Sequence, residues 1–127
     1  MTSIIKILIV EDDEDVLQTL EKQLMNHGYM AIVARKGMDA LDKADIYLPD
    51  IILLDLMLPD IDGAEVVKLL KENPRAAKIP ILFLSGMVTR EEGKELCEVR
   101  VGGKDYPAIG KPFSLQELLN GINQILG

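Results

Sequence analysis

The chain predicts a single doubly wound (βα)5 sandwich, an α/β fold built on a parallel five-stranded sheet. Three observations carry this reading. Five short apolar bursts alternate with amphipathic segments along the 127 residues. The bursts are nearly continuous Val/Ile/Leu runs, as strands covered on both faces require. Strands that alternate with helices imply parallel βαβ units, and their right-handed crossovers put helices on both faces of one sheet.

The elements follow in order. Ile4 to Val10 is the first strand. Asp13 to His27 is the first helix, with Val16, Leu17, Leu20 and Leu24 at helical spacing and Gly28 ending it. Met30 to Ala34 is the second strand. Gly37 to Leu48 is a helix with Met38, Leu41 and Ala44 turned inward. Pro49-Asp50 makes a turn before the third strand, Ile51 to Leu54. Pro59-Asp60-Ile61-Asp62-Gly63 is a loop, in which Asp62 with Glu65 forms a capping box for the next helix. That helix uses Val66, Val67, Leu69 and Leu70 and stops at Asn73-Pro74. Ile79 to Leu84 is the fourth strand. Thr89 with Glu92 suggests a cap for a short helix near Arg90 to Val99. Pro107 to Gly110 is a weak fifth strand. Ser114 with Glu117 caps the last helix, whose Leu115, Leu118, Leu119, Ile122 and Leu126 share a face.

Composition narrows the function. Apolar residues make up 48% and charged residues 28%, as in a water-soluble globular domain. The length suits one domain, spanning residues 1–127. The net charge of −7 argues against direct nucleic-acid binding and against an anionic membrane surface. A single cysteine, Cys97, rules out an internal disulfide, and a reducing cytoplasm is the simplest compartment. Cys97 itself reads as a small apolar residue on the short fourth helix. No signal peptide or membrane span is visible.

The polar residues that follow each strand carry the chemistry. Glu11, Asp12 and Asp13 follow the first strand, Asp55 the third, Ser85 and Gly86 the fourth, and Lys111 the fifth. Sites in open α/β sheets lie outside the carboxyl ends of the strands. Taken singly, Asp13 is a helix cap, Ser85 a turn residue and Lys111 a solvated surface lysine. Their joint position says more. Each pair of carboxylates about 4 Å apart costs about 4 kcal/mol at an effective dielectric near 20. Such a cluster raises its own pKa values or holds a cation. Hard oxygen donors suit Mg²⁺, which shares itself with phosphate. A carboxylate can then serve as nucleophile, while a hydroxyl and an ammonium group hold phosphoryl oxygens.

Four segments in order now carry a resemblance: Ile7 to Asp13, Ile52 to Gly63, Ile81 to Gly86, and Gly110-Lys111-Pro112-Phe113. Over nearly its whole length the chain resembles the receiver domains of two-component response regulators. The resemblance implies the flavodoxin-like strand order 2-1-3-4-5. It implies that Asp55 is the phosphoacceptor and that Glu11, Asp12 and Asp55 hold Mg²⁺ (or Mn²⁺), with the backbone carbonyl of Met57 completing the metal site. It implies that Ser85 turns toward the phosphoryl group, that Lys111 pairs with it, and that the Lys111–Pro112 bond is cis. It also implies a phosphodonor partner, either a sensor histidine kinase or a histidine phosphotransfer protein, and a downstream protein target. Some receivers also form homodimers. Such a protein phosphorylates itself from the donor and is not a turnover enzyme.

Two departures stand out. The stretch from Ser85 to Lys111 is longer than the resemblance leads one to expect, with Gly93 inside the fourth helix and Gly102-Gly103 after it. The aromatic residue expected three positions before the lysine is Ala108, and Tyr106 lies five before. Either Tyr106 takes over that role in altered geometry or signalling uses another surface. Charge-assisted hydrogen bonds from Ser85 and Lys111 to a phosphoryl group would contribute about 1.5–3 kcal/mol each. A two-state switch needs about 5.5 kcal/mol, so the two, about 3–6 together, permit a switch at the upper end of that range. A phosphatase on a similar frame usually needs a second acid where Met57 stands, and a nucleotide carrier needs a glycine-rich loop where Glu11-Asp12-Asp13 stands. A receiver-like interaction domain that works without phosphorylation is the remaining alternative.

Overall fold

The computed structural model describes residues 3–86 and 96–127. The elements are β1 (Lys6–Val10), α1 (Glu14–Asn26), β2 (Met30–Ala34), α2 (Gly37–Tyr47), β3 (Ile51–Asp55), α3 (Gly63–Glu72), β4 (Ile81–Ser85), β5 (Cys97–Val101), β6 (Lys104–Gly110) and α4 (Leu115–Leu126). They form one six-stranded sheet in the order β2-β1-β3-β4-β6-β5. The first five positions of that order are parallel and reproduce the expected 2-1-3-4-5 arrangement, with β6 as the fifth parallel strand.

Side-chain alternation along the strands builds two cores. Ile7, Ile9, Leu53, Leu82 and Leu84 pack on one face beneath α1 and α4. Leu8, Val10, Ile52, Leu54 and Phe83 pack on the other with residues of α2 and α3. β3 and β4 are buried at every residue, which explains their unbroken apolar runs.

The helix signals act as expected. Asp13 caps α1 by accepting from the amides of Asp15 and Val16. The helix closes in a Schellman turn: Gly28 has φ +86°, its amide donates to Met25, and Tyr29 donates to Leu24. Asp62 caps α3 and Ser114 caps α4, each accepting from the amide three residues on. In α2, by contrast, Met38 is exposed, and Gly37, Ala40 and Ala44 form the buried side.

The region after β4 corrects the sequence reading. The Thr89/Glu92 cap and most of the expected fourth helix lie outside the described residues. Residues 97–101, however, are a strand and not the end of a helix, so Cys97 is buried in a sheet. The strand pairs antiparallel with β6, which begins at Lys104 and not at Pro107. The sheet is therefore six-stranded and mixed, not five-stranded and wholly parallel. The cause is legible in retrospect. Cys97-Glu98-Val99-Arg100-Val101 alternates apolar and charged residues with period two. Gly102 and Gly103, at φ +59° and +81°, make the two-residue turn that a tight hairpin requires.

Candidate functional site

The sheet aligns its carboxyl ends on one edge. Glu11 follows β1, and its amide still donates to the Ala34 carbonyl of β2 at 3.0 Å. Asp55 is the last residue of β3 and lies in register with Leu84 of β4. Ser85, the last residue of β4, lies in register with Gly110. The Lys111 amide, one residue on, donates to the Ser85 carbonyl at 2.8 Å. The backbone ladder thus fixes the starting point of every polar side chain at the site.

The side chains then converge. Lys111 Nζ donates to Glu11 Oε1 at 2.5 Å and to Asp55 Oδ2 at 2.9 Å. One carboxylate oxygen from each of Glu11, Asp12 and Asp55 lies within 4.8 Å of the others. Glu11 is 1% exposed, Asp55 7% and Ser85 1%, whereas Asp12 opens to solvent. Burial pushes the Glu11 carboxyl up to about 7. A hydrogen bond shared with Asp55 and the charge of Asp55 add to the rise, and Lys111 opposes it. Burial acts to lower the Lys111 ammonium, but its bonds to Glu11 and Asp55 prevail and raise it. One ammonium group is thus bonded to two of the three clustered carboxylates, and the cluster has more acidic than basic groups.

The loop after β3 is fixed by residues whose roles the sequence hid. Asp55 Oδ1 accepts from the Met57 amide at 3.1 Å, which ties the start of the loop to the carboxylate. Asp60 reaches across to α2, where its two oxygens accept from the amides of Gly37 and Met38 at 2.8 and 2.9 Å. Lys36 makes no side-chain cap of its own, so Asp60 caps this helix from a distant loop. These amides, Met38 first, hold the Asp60 carboxyl down at about 2. Gly63 opens α3 directly against the backbone of Asp55. A Cβ there would lie 2.6 Å from the Asp55 carbonyl oxygen and 3.0 Å from Leu56 Cα. Only glycine lets α3 start this close to the carboxylate-bearing strand.

A profile of the response regulator receiver domain matches residues 7–123. The chain belongs to this family. Among curated relatives, this receiver is 39% identical over 121 residues to the alkaline phosphatase synthesis transcriptional regulatory protein PhoP of Bacillus subtilis, covering 95% of the chain and 48% of that protein. It is 32% identical to the polar-differentiation response regulator DivK of Brucella anthropi, covering 95% of each. The first relatives are mostly longer proteins, and the receiver spans about half their length. Among solved structures, the receiver domain of sensor histidine kinase PA1611 from Pseudomonas aeruginosa superposes with a TM-score of 0.83 at 26% identity, over 98% of this chain and 99% of that one. That structure has a magnesium ion coordinated in its active-site cleft.

Of the residues singled out from sequence, Glu11, Asp12, Asp55 and Lys111 meet in one cluster. Ser85 is buried on the same strand-end edge and joined to Lys111 through the backbone. Met57 is adjacent to Asp55 through its amide, with its side chain exposed. The Lys111–Pro112 bond is cis. Tyr106 is buried on the same side of the sheet as Ala108. Its ring meets Phe83 edge-on, with centroids 6.0 Å apart and planes at 89°. The Lys71 and Lys104 ammonium groups lie 5.6 and 5.3 Å from its centre. Among the described residues, no helix is long and apolar enough to cross a membrane.

Proposed function

We propose that Asp55 accepts a phosphoryl group from a phosphohistidine on a sensor histidine kinase or a histidine phosphotransfer protein, and that the phosphoaspartate switches a protein-binding surface. An Asp55 carboxylate oxygen forms the new O–P bond as the donor's N–P bond breaks, and the imidazole leaves. The observation that carries this reading is the Lys111 ammonium group bonded at once to Asp55 and Glu11 within a surplus of carboxylates.

The donor set fits a hard divalent cation. Three carboxylates lie together, and burial first, then the neighbouring Asp55, have pushed Glu11 among them up to about 7. Glu11, Asp12, Asp55 and the Met57 carbonyl are the groups that would hold Mg²⁺ or Mn²⁺, and a bound ion would neutralise charge on the phosphoryl oxygens. In this reading Lys111 exchanges part of its hold on Asp55 for a phosphoryl oxygen, and the Ser85 hydroxyl donates to another. Gly63 and Asp60 keep the Asp55 loop in place while the charge at its head changes.

A groove of about 470 Å³ adjoins the site, between α1 and the start of α4, and its wall includes Val16, Leu20, Lys111, Pro112 and Phe113. An apolar groove beside the acceptor suits a helix of the phosphodonor.

The test is direct. Purified protein incubated with radiolabelled acetyl phosphate should take up label only when Mg²⁺ is present, and Asp55→Asn should abolish uptake. Label that persists in that variant would reject Asp55 as the acceptor.

A further inference from the structure

β5 is the edge of the sheet, and among the described residues it pairs only with β6. The hairpin register decides which of its backbone groups face outward. The Gly102-Gly103 turn closes on Val101 and Lys104, and two-residue turns of this type close on a hydrogen-bonded pair. Bonded and non-bonded pairs alternate along an antiparallel ladder. Val101, Val99 and Cys97 therefore exchange bonds with β6. Glu98 sits opposite Pro107, which has no N–H to give, in agreement with that phase. The N–H and C=O groups of Glu98 and Arg100 point away from β6, toward an edge that no other described strand pairs with.

Natural edges are usually protected by charge, and a single sign of charge would repel a second copy. This edge carries Glu98 and Arg100, opposite signs placed symmetrically about Val99. Both are exposed. Arg100 is held in place by Asp105 at 3.1 Å and by the Gly103 carbonyl at 3.1 Å. No described residue forms an ion pair with Glu98.

We propose that β5 pairs antiparallel with β5 of a second copy of this chain, about a two-fold axis through Val99. In this register Glu98 faces Arg100 of the second copy, and Arg100 faces its Glu98. These are the very residues whose backbone groups point outward, so each facing pair can exchange backbone hydrogen bonds and join its side-chain charges on one face. Shifting the register by one residue would lose both matches. The two sheets become one, and the interface is isologous. It is also small, so the association is weak and depends on concentration.

Sedimentation equilibrium on the intact chain tests the register. Wild type should show a monomer–dimer equilibrium. Glu98→Arg and Arg100→Glu each place like charges across both facing pairs, and each alone should weaken the dimer by about tenfold or more. Mixed in equal amounts, the two variants regain both opposite-charge pairs and should form a heterodimer as tight as the wild-type dimer. Glu98→Pro deletes an outward N–H that the hairpin does not use, and should weaken dimerisation with an unchanged circular dichroism spectrum. A wild type that stays monomeric up to about 1 mM overturns the proposal. So do single variants that dimerise like wild type, or a mixture of folded variants that stays monomeric. Should Arg100→Glu fail to fold, wild-type-like dimerisation of Glu98→Pro overturns the proposal by itself.

Discussion

Glu11→Gln separates the charge of the buried carboxylate from its shape. In the metal-free protein the Glu11 carboxyl rises from an ordinary 4.5 to about 7, chiefly through burial. A carboxyl whose folded value exceeds its unfolded one weakens the fold wherever it is ionised. The penalty is absent below the unfolded value, grows as pH rises between the two, and is complete above the folded one. A shift of this size corresponds to about 3 kcal/mol. Wild type in EDTA should therefore lose about 3 kcal/mol of stability, from this group alone, between about pH 4.5 and pH 8. Glutamine cannot ionise, so the variant lacks this loss. Titrating groups outside the cluster are common to both proteins and cancel in their difference, whereas Asp55 and Lys111 interact with Glu11 and set the residual slope. Urea unfolding across that pH range gives the difference curve, which should move by about 3 kcal/mol in favour of the variant as pH rises. A difference curve that stays flat through pH 7 would refute the claim that burial raises the Glu11 carboxyl. Saturating Mg²⁺ should remove most of the wild-type loss, because the ion favours the ionised carboxylates.

Mg²⁺ at a hundredfold excess over its dissociation constant should stabilise wild type by about 2.7 kcal/mol, read as a rise in thermal midpoint, and Asp12→Ala should lose most of that rise. Gly63→Ala should cost about 1–3 kcal/mol in urea unfolding and slow label uptake from acetyl phosphate, since the added carbon must displace the Asp55 backbone. Asp60→Ala should destabilise the protein near neutral pH through loss of the α2 cap. Asp60 is depressed to about 2, so its contribution is complete above the ordinary 3.8 and is lost as pH falls through about 2. Variant and wild type should therefore converge in strong acid, as followed by circular dichroism.

The parallel frame was legible because burial on both faces leaves an unmistakable apolar signature, as in Ile51-Ile52-Leu53-Leu54, and because Asp13, Asp62 and Ser114 cap helices with their own side chains. The site was legible for a related reason. A polar residue follows each strand, and the strand order that the resemblance implied brings those strand ends together on one edge. The β5–β6 hairpin was missed because a capping-box pattern at Thr89/Glu92 favoured a helix, and the alternation of Cys97 to Val101 covers only five residues. Asp60 was missed because its partners, Gly37 and Met38, lie more than twenty residues away in sequence. No local pattern marks a cap supplied from another loop. Gly63 was read as the end of a loop, and its close approach to the Asp55 carbonyl belongs to tertiary packing.

The central claim is that Asp55, and no other carboxylate of the cluster, receives the phosphoryl group. Reaction with acetyl phosphate and Mg²⁺, followed by tritiated borohydride, reduces an acyl phosphate to an alcohol and leaves tritium at the acceptor. Peptide mapping should then find the label as homoserine at position 55. Label at Glu11, Asp12 or Asp13, or no acyl phosphate at all, would contradict the account.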